Sequence, residues 1–482
     1  MLVSLAQCEH EQLHLSGAIQ PHGVLLVINN LGTVTHCSAN SEPVLGWAVP
    51  TVLGAPLTEA LREVVMARLH AGERRFVLDR ALNCNGERDV LVSAGSDQTC
   101  TLEIYPHQSR STVLPHQPDL LTPQQHAHEV QRIQQQMLED VAALTGFERV
   151  MMYQFRDDGD GEVVAEVRQP DVYGRYRGLR FPASDVPQIA RALYLKNPWR
   201  LIPDAQAQAV PVMGIHTDAP DLSYCDLRSV SPMHQIYLGN MGVRASLSFP
   251  VVVNESLVAL VACHHSAPKT LTTQVLQACR VRVSNFTFAY ASYRAHQRMR
   301  LVDGLHSRFN GIRLALQRDG DVASAWETIA PWVVREFDLH GVTLCRGDTV
   351  LHHGVALQGP ALETVESWFE VRGEIMVSEE SLSRHVLDFP LTEVAGVTAL
   401  RIGTDAVHAT RLYLCRCELV QEIAWGGNPE KPVEFNDGKL GIAPRRSFEK
   451  WVEKRHGYCR PWDNTTRLLA LKLRELLTNV HG

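Results

Sequence analysis

The chain has 482 residues, too many for one hydrophobic core, so roughly two to four domains follow. Apolar residues make up 45% and charged residues 21%, ordinary for a soluble globular protein, and the formal net charge is −7. That charge gives no electrostatic reason for a nucleic acid or an anionic membrane as partner, and no apolar run reaches the length of a bilayer span.

The start, "MLVSLAQCEH", has too short an apolar stretch before Cys8 for a signal peptide and no basic n-region. The N-terminus therefore reads as uncleaved and the protein as cytoplasmic. Eleven Cys, an odd number without framework spacing, suit reduced thiols. "GVLLVI", "NNLG" and "TVTHC" read as strand, turn and strand, and "ANSEPVLGW" as a short helix ending at Gly46. More strands are expected at residues 75–78, 90–93 and 101–105. A linker, "HQSRSTVLPHQPD", closes this first α/β unit.

A second unit opens with a helix over residues 126–146. "ERVMMYQF" and "GEVVAEVR" form a hairpin around "RDDGDG". That turn resembles the beginning of a calcium loop, but Val163 stands where Gly is needed, so it reads as a solvated turn. In "RFPASDVPQIARALY", Pro182 and Pro187 exclude a regular helix or central strand around Asp185. Taken alone, Asp185 is an N-cap for a helix over residues 188–194. A helix at "SPMHQIYLGNMG" and strands at "ASLSFPVVVN" and "SLVALVACHH" complete a mixed α+β domain.

A long helix is expected over residues 273–316. Leu276, Cys279, Val283, Phe286, Tyr290 and Tyr293 recur in it at steps of three and four, a stripe for its own domain or a partner helix. A third α/β unit begins near residue 319, with helices near 323–337 and 362–371 and strands near 342–345 and 400–403. In "RLYLCRCELV", Cys415 and Cys417 share one strand face, a pattern of core packing rather than of a metal site. The polar arm "AWGGNPEKPVEFNDGKLGIAPRRSFEKW" is rich in Gly and Pro and long enough to be functional.

The chain lacks a Walker loop, a Rossmann glycine fingerprint, an HExxH helix and a nucleophile elbow, which argues against an ordinary enzyme. Polar residues gather instead in the second unit. "DLRSVSPMHQIY" carries Arg228, Ser231, His234 and Tyr237, with Met233 one helical turn from Tyr237. Ser246 and Ser248 share a strand face, "ACHHS" adds His264, and "NPWR" adds Arg200. Two guanidinium forks among hydroxyls and imidazoles suit a pocket for an anionic organic ligand. Each residue alone has an ordinary reading, as a solvated Arg or a hydrogen-bonded core His.

Four stretches together resemble the photosensory core of a bacterial phytochrome: "CEHEQLHLSGAIQPHG", "FPASDVP", "LRSVSPMHQIYLGNMGVRASLS" and "PRRSF". The resemblance covers essentially the whole chain. It implies a mixed α+β fold of three α/β sensory domains: PAS with the N-terminal segment (1–120), GAF (121–300) and PHY (301–482). It also implies a knotted PAS–GAF N-terminus, with "GAIQPHG" and Ile19 threaded through a GAF loop, and a long helix joining GAF to PHY. The implied function is red/far-red photoreception by a biliverdin in the GAF pocket, not turnover catalysis. Met233 stands where plant-type relatives carry their attachment cysteine, so the implied attachment is Cys8, before the PAS domain. By the same resemblance, Arg200 and Arg228 hold propionates, supported by Tyr194, Ser231, Ser246 and Ser248. Asp185 offers its carbonyl to the pyrrole N–H groups, His234 shares their water, and His264 bonds the ring D carbonyl. Tyr153, Phe181 and Tyr237 wall ring D, and Val186 and Pro187 flank Asp185 in the pocket, Val186 standing where many relatives have Ile. The arm (421–463) resembles the family's tongue: Arg445 and Ser447 lie in "PRRSF", Arg445 pairs with Asp185, and Trp425 and Trp462 are packing anchors. Asn464 follows where relatives often carry an acid. The implied partners are a second copy, through GAF and connecting helices, and an output module, most often a histidine kinase. Two other readings use the same pocket or none: a GAF-type sensor of a cyclic nucleotide, and a dimerisation scaffold without ligand.

Overall fold

A computed structural model describes residues 12–95, 99–108, 126–172, 174–403, 410–429, 433–436, 439–442 and 448–479. The chain divides into two compact units, Met1–Arg294 with Ala424–Trp451, and Ala295–Ile423 with Val452–Gly482. Among the described residues, no helix is long and apolar enough to cross a membrane.

The first unit contains two sheets. One has seven antiparallel strands, in the order Ala18–Ile19, Val210–Gly214, Val34–Ser38, Val24–Ile28, Cys100–Pro106, Glu87–Ala94 and Arg75–Asn83. The expected strand–turn–strand and the short helix Ser41–Leu45, closed by Gly46 in the left-handed region, are in place. Glu59–His70 is a helix that the sequence reading lacked. Only Leu61 and Val65 are buried along it and no side chain caps its start, so it carries little periodic signal. The sheet's first strand is not local. Ala18–Ile19 pairs with Pro211 and Val210 on one edge, and Ile19 bridges Arg228 on the other. Residues 17–20 therefore run between two arms of one later loop, and Gln20 reaches the carbonyls of Leu201 and Asp226.

The second sheet begins Arg200–Ile202, Ala245–Val253, Ser256–His265, Arg149–Phe155, Gly161–Arg168 and Arg180–Phe181. Its period-two alternation separates two environments. On one face Val150, Met152, Leu201, Leu247, Phe249, Val261 and Cys263 form a core with the helix Ala127–Thr145 and the start of the helix Thr273–Asp319. The expected stripe from Leu276 to Tyr293 lies in this core, so that part of the helix serves its own domain. Each fully buried apolar side chain there contributes about 1.5–3 kcal/mol. The other face carries Arg200, Ser246, Ser248, His264, Met151 and Tyr153, as the strand registers require. The site lies on that face.

The second unit is built on a five-stranded antiparallel sheet, ordered Thr349–Gly354, Gly341–Arg346, Thr410–Cys417, Val394–Ile402 and Met376–Glu379. Trp326–Glu336, the end of the long helix and Asn464–Asn479 cover one face, and Gly359–Arg372 and Leu382–His385 cover the other. Cys415 is buried in the second of these cores, as its strand parity predicts. Trp462 is buried in the first, with its indole N–H donating to the Glu379 carbonyl at 3.1 Å and the Arg416 guanidinium 4.0 Å from its ring centre.

Candidate functional site

A cavity of about 470 Å3 opens on the polar face of the second sheet, within the roughly 300–1,000 Å3 usual for organic-ligand sites. Asp185, Val186, Pro187, Tyr194, Arg200 and Arg228 line it, as do Ser231, Met233, His234, Tyr237, Ser246 and Ser248. Residues scattered over some sixty positions of sequence thus meet in one place.

The Asp185 corner is built by its prolines and by two outside tethers. Pro182 precedes a 3-10 turn, Ala183–Asp185, and Pro187 itself occupies the N-cap of Gln188–Tyr194 without a side-chain cap bond. The N-cap reading of Asp185 is therefore wrong. Its Oδ2 accepts the Tyr237 hydroxyl at 2.9 Å instead. The corner is held by Arg191, whose Nε reaches the Val186 carbonyl at 2.7 Å and whose Nη2 reaches the Gly159 carbonyl at 2.7 Å. Asp160, in the turn read as merely solvated, takes the Ala183 N–H at 3.0 Å. That acidic turn is thus structural support for the site.

The opposite end is cationic. Arg228 is only 7% exposed, and its buried Nη1 has no hydrogen-bond partner among the described residues. Burial, and then the neighbouring Arg200 charge, push its guanidinium down to about 9. Such a group suits an anion. Arg200 donates through Nη1 to the Asp226 carbonyl at 2.7 Å and through Nη2 to those of Arg228 and Ser229 at 2.6 and 3.1 Å. It fixes the loop that carries Arg228. Tyr194 and Ser248 share a hydrogen bond of 2.7 Å. Trp199 and Asn197, which the sequence reading did not single out, also line the cavity.

His234 lines the cavity one turn from Tyr237, the two rings stacked at 6.1 Å. Burial, then the Arg200 charge, lower its imidazole to about 4, so it is neutral at neutral pH. His264 does not line the cavity but lies opposite Ser246 on the same face. Burial, then Arg149 and His234, lower it to about 3. Tyr153 and Phe181 are likewise set back, in an aromatic and aliphatic cluster with Met151, Leu179 and Leu260. Their rings are 5.9 Å apart, and Val186 and Tyr194 belong to both this cluster and the cavity wall. Trp425 pairs with Arg180 across a parallel bridge, and a Cβ at Gly426 would come to 2.6 Å from the Phe181 ring. Phe448 meets Tyr237 edge-on at 5.1 Å. Cys8, Arg445 and Ser447 lie outside the described residues.

Three family models match in chain order: PAS fold over residues 8–82, GAF domain over 129–285 and phytochrome region over 311–482. A bacteriophytochrome of Pseudomonas aeruginosa is 32% identical, covering 98% of this chain and 66% of its own length. Cyanobacterial phytochrome B of a Nostoc species is 30% identical, covering 99% of this chain and again 66% of its own. The chain thus spans about two thirds of the curated relatives it matches. Among solved structures, the wild-type phytochrome photosensory core module of Stigmatella aurantiaca is 30% identical with a TM-score of 0.81, covering 100% of this chain and 99% of that one. A bacteriophytochrome from the photosynthetic bacterium R. palustris is 27% identical with a TM-score of 0.77, covering 99% of each chain.

Proposed function

We propose, from the premise that this chain belongs to the phytochrome family of light photoreceptors and spans its photosensory core, that the cavity of the second sheet holds biliverdin attached through Cys8. The family's chromophore class is a linear tetrapyrrole, which when bound supplies light absorption and a double-bond isomerisation. Every other task falls to the residues around it.

The observation that carries this reading is Arg228, a buried guanidinium at the wall of an organic-sized cavity whose Nη1 has no partner among the described residues. A propionate there gains a charge-assisted bond where little solvent competes. Arg200 orients the Arg228 loop and adds its field, while Tyr194, Ser248, Ser246 and Ser231 offer hydroxyls beside it. The Asp185 corner presents its carbonyl to pyrrole N–H groups, with neutral His234 and Tyr237 on the facing helix. Met233, a thioether, cannot make the linkage, and Cys8 stands where the resemblance to bacterial phytochromes puts the attachment cysteine. The aromatic cluster of Tyr153 and Phe181, with His264, borders the terminal ring and excludes water from it. The pairing of Trp425 with Arg180 and the packing of Gly426 and Phe448 bring the arm against this cluster, which supports the pairing of Arg445 with Asp185 that the family resemblance implies. A two-state arm of this kind is the bistable element that a switch requires. The two-sided grip on residues 17–20 supports the threaded N-terminus. A second copy and an output module are the partners this reading implies.

Mixing the purified protein with biliverdin should give a coloured species whose red band falls under red light. A protein that leaves the biliverdin spectrum unchanged, but binds a cyclic nucleotide, overturns this reading.

A further inference from the structure

A buried charge cluster lies behind Arg228, and one of its acids comes from the first sheet. Glu103, on the strand Cys100–Pro106, is fully buried. Its Oε2 accepts the Leu227 N–H at 2.7 Å and the Tyr105 hydroxyl at 2.9 Å. Arg75, on another strand of that sheet, bonds Asp226 Oδ2 at 2.6 Å and the Tyr224 carbonyl at 3.0 Å. The Asp226 carbonyl in turn takes Arg200 Nη1 at 2.7 Å. The groups facing Glu103 are Asp226, Arg75, Tyr105, Cys225 and Arg200, with Arg228 beyond Arg200. Three guanidiniums thus meet two carboxylates, and the balance turns on whether Glu103 is ionised.

We propose that Glu103 is the proton-exchanging residue of the pocket's anion site, so that capture of a dicarboxylate ligand beside Arg228 draws a proton from solvent onto Glu103. The proposal rests on the tetrapyrrole reading of the cavity, whose propionates are the two carboxylates. Negative charge brought into a poorly solvated cluster disfavours a second ionised acid there. Oε1, the oxygen that takes neither hydrogen bond, can hold the proton. Burial and the nearby Asp226 already raise the Glu103 carboxyl to about 7, so a modest push changes its state near neutral pH. Glu103 then adjusts the charge of the site to its ligand from outside the cavity wall.

The test is titration calorimetry in two buffers of different ionisation enthalpy, at about pH 7.5, with biliverdin and with its dimethyl ester. Proton uptake common to both ligands reports the ring nitrogens. The wild type should take up more protons with biliverdin than with the ester, by up to about one per ligand, and Glu103→Gln should remove the difference. No difference in the wild type, or the same difference in Glu103→Gln, overturns the proposal. Failure of the wild type to bind biliverdin at all overturns the reading of the pocket itself. If Glu103→Gln does not fold, a wild-type pH series decides. The excess uptake should be largest just above pH 7 and vanish well below it, where Glu103 is already protonated, and a flat profile overturns the proposal.

Discussion

Replacing Arg228 by Met should stabilise the ligand-free protein while weakening its hold on biliverdin. The side chain is 7% exposed, its Nη1 lacks a partner among the described residues, and Arg200 lies beside it. Burial and the Arg200 charge lower its guanidinium from its ordinary range to about 9, which corresponds to a penalty of at most about 5 kcal/mol. Local relaxation and water entry reduce this to about 1–3 kcal/mol. At neutral pH the group is charged in both folded and unfolded chains, and the folded chain binds its proton less tightly. The penalty is therefore full below about 9 and fades as pH rises from there towards the ordinary guanidinium range. Met keeps an unbranched stem and removes the charge. At about 2–4 °C per kcal/mol, the midpoint of the ligand-free variant should rise by about 2–12 °C. The ligand effect has the opposite sign. Loss of a charge-assisted hydrogen bond of about 1.5–3 kcal/mol weakens binding about tenfold to a hundredfold. Scanning calorimetry of both proteins, with and without biliverdin, separates the two effects. A lower midpoint for ligand-free Arg228→Met, or an undiminished shift on adding biliverdin, refutes the reasoning.

Tyr237→Phe removes the donor to Asp185 Oδ2 at 2.9 Å, should cost about 1.5–3 kcal/mol, and should lower the yield of the far-red product in a light-minus-dark spectrum. An unchanged difference spectrum counts against a role for that bond. Cys8→Ser should still bind biliverdin but lose the denaturation-resistant adduct on a gel, and a persistent adduct points to another cysteine. The raised Glu103 carboxyl favours the folded state fully below about pH 4.5, and this contribution is lost as pH rises through about 7. In urea unfolding, Glu103→Gln should therefore gain on the wild type between about pH 5 and 8, and a constant gap contradicts that assignment. Gly426→Ala places a methyl against the Phe181 ring and should cost about 1–3 kcal/mol of local stability, read as faster proteolysis of the arm.

Much of the fold was legible because its elements carry local signals. The alternation in "ASLSFPVVVN" and "SLVALVACHH" set Ser246 and Ser248 apart from Leu247 and Phe249, and the structure keeps that division. The stripe from Leu276 to Tyr293 announced a buried helix face, though not which domain it would bury against. The gathering of Arg200, Arg228, His234 and the serines in the second unit already suggested an anion pocket, but the place of Asp185 in it and the role of each residue were legible only through motif resemblance. Three things were not legible. Glu59–His70 buries too narrow a face to show a period. Asp160 binds Ala183 across 23 positions, so nothing adjacent marks it as a tether. Glu103 and Arg75 reach Leu227 and Asp226 across 124 and 151 positions, and only sheet geometry brings these charges together.

The two-residue strand Ala18–Ile19 has a mechanical consequence. It is hydrogen-bonded to Val210–Gly214 on one edge and bridged to Arg228 on the other. A pull on the N-terminus along this strand runs across those bonds, so they resist in shear and fail together rather than unzipping one by one. The same pull strains the backbone of Arg228 and, through Gln20, the carbonyls of Leu201 and Asp226. Tension at the start of the chain and an anion at the guanidinium therefore act on one short length of backbone, and each is felt at the other.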